Sequence, residues 1–99
     1  MYTITERRTV NLERLEETTE RARREYFPKL ESAPGFVGFY LVADDNSNVF
    51  TAINVWDSKA HAEAFDATMG SWLNVLEEYG HHQESANRGE TVVELQSGN

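Results

Sequence analysis

The chain has 99 residues, of which 39% are apolar and 26% charged, the balance of a single globular domain spanning residues 1–99. It has no cysteine, which excludes disulfides, thiolate metal sites and cysteine nucleophiles. A net charge of −8 works against a nucleic-acid partner, because phosphates would be repelled.

The opening MYTITERRTV is charged and alternating, unlike a signal peptide, and no apolar run in the chain approaches a membrane span. A cytoplasmic protein without membrane contact is expected. Residues 2–10 predict a first strand with Tyr2, Ile4 and Val10 on one side, while Arg7 and Arg8 read as surface residues. Asn11 fits an N-cap. Leu12, Leu15, Thr19, Ala22, Tyr26 and Leu30 then recur at helical spacing. Pro28 predicts an end or a kink near Phe27, since proline disfavours the helical region for its predecessor.

The stretch PGFVGFYLVADDNSNVFTAINVWDS, residues 34–58, reads as a hairpin with apolar residues on both faces. With Asp44 and Asn48 flanking the turn, the register pairs Tyr40 with Ala52, Gly38 with Asn54 and Phe36 with Trp56. Opposed residues share a face. Phe36, Gly38, Tyr40, Phe50, Ala52, Asn54 and Trp56 then form an uneven aromatic face. Val37, Phe39, Leu41, Thr51, Ile53 and Val55 form the other.

Asp57 or Ser58 caps a second helix, whose stripe is His61, Phe65, Met69, Trp72, Leu76 and Tyr79. Gly70 predicts a kink or break between 67 and 71, and Gly80 ends the helix. The tail HHQESANRGETVVELQ predicts a fourth strand, strongest over Glu90–Leu95. The order β-α-β-β-α-β is the ferredoxin-like α+β arrangement, a four-stranded antiparallel sheet with both helices on one face. A second copy of the chain is expected on the other face, through Val37, Phe39, Leu41, Ile53 and Val55, because so large an apolar patch is rare on a monomer.

Gly38 and Ala52 remove volume from the middle of the aromatic face, which predicts an apolar pocket beneath the helices. Its walls would be Gly38, Tyr40, Phe50, Ala52, Asn54 and Trp56 from the sheet and His61, Phe65 and Trp72 from the second helix. His61 is the candidate for proton transfer. Asn54, a polar residue in an apolar row, is the candidate to orient a ligand. Each has an alternative structural role: Trp56 and Tyr40 as packing aromatics, Asn54 bonded within the protein, His61 as a half-exposed helix-start residue. His81 and His82 are adjacent, and on an extended strand would face opposite ways, so no metal site is expected.

PGFVGFYL, INVWDSKAHAEAFDA and GETVVEL resemble the dimeric α+β barrel proteins, and within them the antibiotic-biosynthesis-monooxygenase-like group. The likeness covers nearly the whole chain in element order. It implies two sheets packed as a barrel and a ligand held between sheet and helices of one subunit. The group includes quinone-forming monooxygenases that use no cofactor, haem-degrading enzymes, and members without a known activity. The quinone-forming enzymes place an asparagine four residues before the strand-three tryptophan and a tyrosine six residues after it; these positions are Ala52 and Ala62. The haem-degrading enzymes use an asparagine on strand one and a histidine late in helix two, and neither stands here. The resemblance therefore implies monooxygenase chemistry on a small aromatic or polyketide-like substrate with no cofactor. Whether the pocket turns over its ligand stays open; the alternative is a binding protein for an apolar molecule such as a fatty acid or an aromatic metabolite.

Overall fold

Four strands and two broken helices make up residues 1–98, which a computed structural model describes. Strand β1 is Tyr2–Thr9, β2 is Phe36–Ala43, β3 is Val49–Trp56 and β4 is His82–Glu90. They form one antiparallel sheet in the order β2-β3-β1-β4. A 3-10 turn, Leu12–Arg14, leads into helix α1, Leu15–Glu25, which is followed by the short α2, Phe27–Glu31. The second helical segment is α3, Lys59–Met69, and α4, Trp72–Glu78. This is the ferredoxin-like β-α-β-β-α-β fold.

Local signals place the helices. Asn11 caps the first turn by accepting from the Glu13 N–H at 3.2 Å, and Ser58 caps α3 by accepting from the His61 N–H at 3.2 Å. The first helix breaks at Tyr26, with Pro28 in the opening turn of α2, where its missing N–H has no intrahelical partner to lose. The second breaks at Gly70. Gly80 adopts φ +86°, and it and His81 donate back to Glu77 and Leu76, closing α4.

Two expectations need correction. The fourth strand is His82–Glu90, not Glu90–Leu95. Its ladder with β1 runs from Thr9 opposite His82 to Tyr2 opposite Glu90, and the last rung is the Thr91 N–H to the Met1 carbonyl at 2.8 Å. Val92, Val93 and Leu95 lie beyond this ladder and are exposed despite their strand propensity.

The hairpin register also differs. Phe36 opposes Trp56 as expected, but Gly38 opposes Val55, Tyr40 opposes Ile53 and Leu41 opposes Ala52. The turn is one residue longer than the symmetric one. Asp44 donates its N–H to the Val49 carbonyl, while its carboxylate accepts from the Asn46 N–H at 3.0 Å and the Ser47 hydroxyl at 2.9 Å. Asn48 is drawn instead to the end of β1, where it exchanges hydrogen bonds with Val10. A bulge between Phe36 and Gly38 absorbs the extra residue. Between bulge and turn every side chain of β2 changes face. Phe39 and Leu41 look toward the helices; Gly38, Tyr40 and Val42 look away.

The core lies between sheet and helices, around Tyr2, Ile4, Leu30, Trp56 and Ala62, with Tyr26, Phe36, Phe39 and Phe65 packed against it. The Tyr26 ring stacks on Trp72, with centroids 5.1 Å apart, and meets Phe65 at an edge.

Candidate functional site

The helix-facing row of β1 is Tyr2, Ile4, Glu6, Arg8 and Val10, the period-2 set that shares a face with Trp56, Asn54, Ala52 and Phe50 of β3. Two cavities open above this row. One, of about 130 Å³, lies among Glu6, Arg8, Val10, Phe39, Leu41, Phe50, Ala52 and Asn54 of the sheet and Leu15, Ala22, Tyr26, Trp72 and Leu76 of the helices. The other, of about 410 Å³, lies toward β4 among Ile4, Glu6, Asn54, Phe65, Met69, Trp72, Gln83 and Arg88. Glu6, Tyr26, Asn54, Trp72 and Leu73 border both. The two cavities adjoin at these residues and are called the lobes of one cleft.

The polar groups at the meeting point are held by their neighbours. Ala52 opposes Glu6 across the ladder, and both border the first lobe. Trp56, 1% exposed, donates its indole Nε1–H to Asn54 Oδ1 at 2.6 Å, which orients the amide with Nδ2 as its free end. Burial pushes the Tyr26 phenol up to about 12, with smaller contributions from the charges of Glu6 and Asp66, so it stays protonated and can donate.

One end of the cleft is closed by a buried polar cluster. Arg8, 8% exposed, donates to the His81 carbonyl at 3.1 Å and to Gln83 Oε1 at 3.3 Å, and lies 3.5 Å from Glu77 and 3.7 Å from Glu6. Its Nε–H has no partner. Arg8 is thus not the surface residue its sequence position suggested; the strand period carries it inward. His81, 2% exposed, accepts the Asn11 N–H at Nδ1, 3.0 Å, and its Nε2 lies 2.8 Å from the Thr18 hydroxyl. Thr18 donates to the Arg14 carbonyl, so Nε2 carries the proton and the ring is neutral. Burial lowers the His81 pKa, and the charges of Arg8, Arg14 and His82 lower it further.

Of the residues expected to line the site, Phe50, Ala52, Asn54 and Trp72 border the first lobe, and Phe65, with Asn54 and Trp72, the second. Gly38 and Tyr40 stand on the opposite face of the sheet, moved there by the bulge. Trp56 is sealed in the core, behind two residues that border the cleft: Asn54, to which it donates, and Phe65, which its ring meets. His61 sits outside the cleft, with Nδ1 2.6 Å from Asp57 Oδ1, and lines a separate cavity of about 380 Å³ with Lys29, Ala33, Pro34 and Phe65. Asp57 is held below the usual carboxylate range by this contact. Gly35, at φ +80°, lies against His61: a Cβ there would be 2.3 Å from the imidazole. Glu6 and Arg8 are charged residues of the cleft wall that sequence reasoning did not single out. The alternation that placed Tyr2, Ile4 and Val10 on one side runs through positions 6 and 8 as well.

Among the described residues no group of three or more histidine, aspartate or glutamate side chains is placed to hold a metal ion, and no helix is long and apolar enough to cross a membrane. Residues 1–85 match the sequence profile of the family described as antibiotic biosynthesis monooxygenase. No curated protein matches the chain. Solved structures similar to it include an antibiotic biosynthesis monooxygenase, at 17% identity and a TM-score of 0.73, covering 94% of this chain and all of that one. A dimeric ferredoxin-like protein from an uncultured marine organism has 15% identity and a TM-score of 0.78, covering 98% of this chain and all of that one. SnoaB, a cofactor-independent oxygenase from Streptomyces nogalater, has 16% identity and a TM-score of 0.73, covering 97% of each chain.

Proposed function

The chain belongs to the antibiotic biosynthesis monooxygenase family, and from that premise we propose that its cleft takes up a small apolar or aromatic molecule and oxidises it with dioxygen, without a resident cofactor. The observation that carries this reading is the cleft between sheet and helices: its smaller lobe is walled mainly by apolar side chains, Glu6, Tyr26 and Asn54 border both lobes, and Asp66, Gln83, Asn87 and Arg88 add polar groups to the larger one. That is the make-up of a small-molecule site. In such a reaction the substrate supplies every electron. An acidic C–H is lost as a proton, and the carbanion reduces dioxygen by one electron. The radical pair joins as a peroxide, which loses water. A methylene becomes a carbonyl; one oxygen atom stays in the product and the other leaves as water.

Anthrone, whose central methylene would become the second carbonyl of anthraquinone, is a direct probe. Saturable oxygen uptake with one anthraquinone formed per dioxygen consumed is the expected result; no uptake above the uncatalysed rate refutes the oxygenase reading. A second reading is favoured by Ala52 and Ala62, which stand where the resemblance places an asparagine and a tyrosine, Ala62 being fully buried. In that reading the cleft binds its apolar ligand without turnover. Native mass spectrometry of freshly purified protein, with a co-purified ligand and no oxygen uptake, would decide for it.

A second copy of the chain on the outer sheet face, and a cytoplasmic location, belong to the same proposal. The bulge changes the composition of the proposed dimer face: Tyr40 and Val42 replace Phe39 and Leu41 beside Val37, Ile53 and Val55. Tyr40 is 62% exposed and Val37 54%, and the similar marine protein is described as dimeric.

A further inference from the structure

We propose that Glu6 is the proton acceptor of the cleft, and that the Tyr26 hydroxyl and the Asn54 Nδ2–H hold the oxygen on which the resulting charge settles. The assignment rests on the cleft being the ligand site.

Glu6 occupies a core-facing position of β1, between Ile4 and Arg8, and its side chain is only 19% exposed. No donor among the described residues reaches its carboxylate within hydrogen-bond distance. Arg8, the cation beside it, is 3.7 Å away and directs its terminal nitrogens to the His81 carbonyl and to Gln83. A carboxylate at a core-facing strand position with no donor in hydrogen-bond distance is unfavourable, and such local inconsistencies concentrate at functional sites.

The donors face the same space. The Tyr26 hydroxyl makes no hydrogen bond among the described residues, and its ring is fixed between Trp72 and Phe65. Asn54 has its oxygen occupied by Trp56, which leaves Nδ2 available. Ile4 opposes Asn54 and Ala52 opposes Glu6, so Glu6 and Asn54 are diagonal neighbours on one face. Tyr26 reaches the same border from the helical layer. An acceptor and two donors thus meet at the junction of the lobes. The complementary ligand is a carbonyl compound with an acidic C–H close to the carbonyl. Its C–H bond breaks, an O–H bond forms on Glu6, and the electron pair moves into an enolate whose oxygen accepts from Tyr26 and Asn54. No electron is transferred in this step, so it can be measured without dioxygen.

The test is hydrogen–deuterium exchange of the anthrone methylene in D₂O under argon, with binding followed in parallel by tryptophan fluorescence. Wild-type protein should bind the probe and accelerate exchange. Glu6→Gln should lower the exchange rate about 100-fold or more, the usual contribution of a positioned base, and leave affinity within about threefold. Tyr26→Phe should lower it about tenfold. If Glu6→Gln does not fold, judged by circular dichroism, Glu6→Asp decides: it keeps the charge but falls one methylene short, and should lose about tenfold in exchange. Either folded Glu6 variant that binds and exchanges like wild type overturns the assignment. So does wild type that binds without accelerating exchange, an outcome that leaves the cleft as a binding site. Wild type that does not bind the probe removes the cleft reading and the assignment with it.

Discussion

Acidification should weaken this fold through His81. The imidazole is neutral, with Nδ1 accepting the Asn11 N–H at 3.0 Å and Nε2–H donating to Thr18. Protonation would set a second N–H against the Asn11 donor, inside a site that already faces Arg8. The folded pKa is therefore lowered, by burial first and by Arg8, Arg14 and His82 after it. The unfolded chain then binds the proton more readily, so stability is fully present above the unfolded value of about 6.5 and falls as pH drops below it, until the folded form also titrates. The loss between pH 7.5 and 5.5 is at most about 1.4 kcal/mol, one proton's worth over one pH unit. Urea unfolding at the two pH values measures it as a shift in midpoint at constant slope. His81→Gln, which keeps an acceptor and a donor but cannot titrate, should be less stable at pH 7.5 and nearly flat over the same window. Wild type with equal stability at both values, or a variant that keeps the full slope, would refute the reasoning.

Trp56→Phe removes the indole N–H that anchors Asn54 and part of a fully buried ring, and should cost about 1–3 kcal/mol in urea unfolding. Phe39→Glu and Tyr40→Glu separate the two sheet faces. The first drives a charge into the helix-facing core and should lower the thermal midpoint steeply, while the second should leave the fold intact and reduce the sedimentation coefficient from dimer to monomer. Gly80→Ala places a side chain at φ +86° and 3.1 Å from the Asn11 amide, and should cost about 1–2 kcal/mol. A thermal melt unchanged within error would show that this turn is not strained.

The element order was legible in the sequence because it depends on local chemistry. Asn11, Pro28, Ser58, Gly70 and Gly80 act where they stand, and helix starts, breaks and stops follow from them. The hairpin faces were not legible, because they depend on a competition between two turns that differ by one residue. Asp44 bonding to Ser47 within the turn, and Asn48 pairing with Val10 at the end of β1, settle that competition, the second through a contact distant in sequence. The last strand was misplaced for a related reason. HQESANRGE has little strand propensity, but it lies beside β1 at the sheet edge, whereas TVVEL has the propensity and lies outside the β1–β4 ladder apart from the Thr91 N–H. Within the site, Asn54 was visible as a polar residue in an apolar row. Glu6 and Arg8 were hidden in a charged run, where strand alternation pointed inward and hydropathy pointed out.

The bends of the two helical segments meet. Tyr26 is the joint between α1 and α2, Trp72 opens α4 just past the joint at Gly70, and their rings are stacked. The helical roof is consequently articulated like two elbows pressed together, rather than laid down as a pair of straight beams. The height of the Tyr26 hydroxyl above the sheet is then set by where the chain carries its proline and its mid-helix glycine. Moving either by one residue would re-aim that hydroxyl through the backbone. Variation among related chains at these two positions is therefore a means of adjusting chemistry without changing the polar side chains of the cleft.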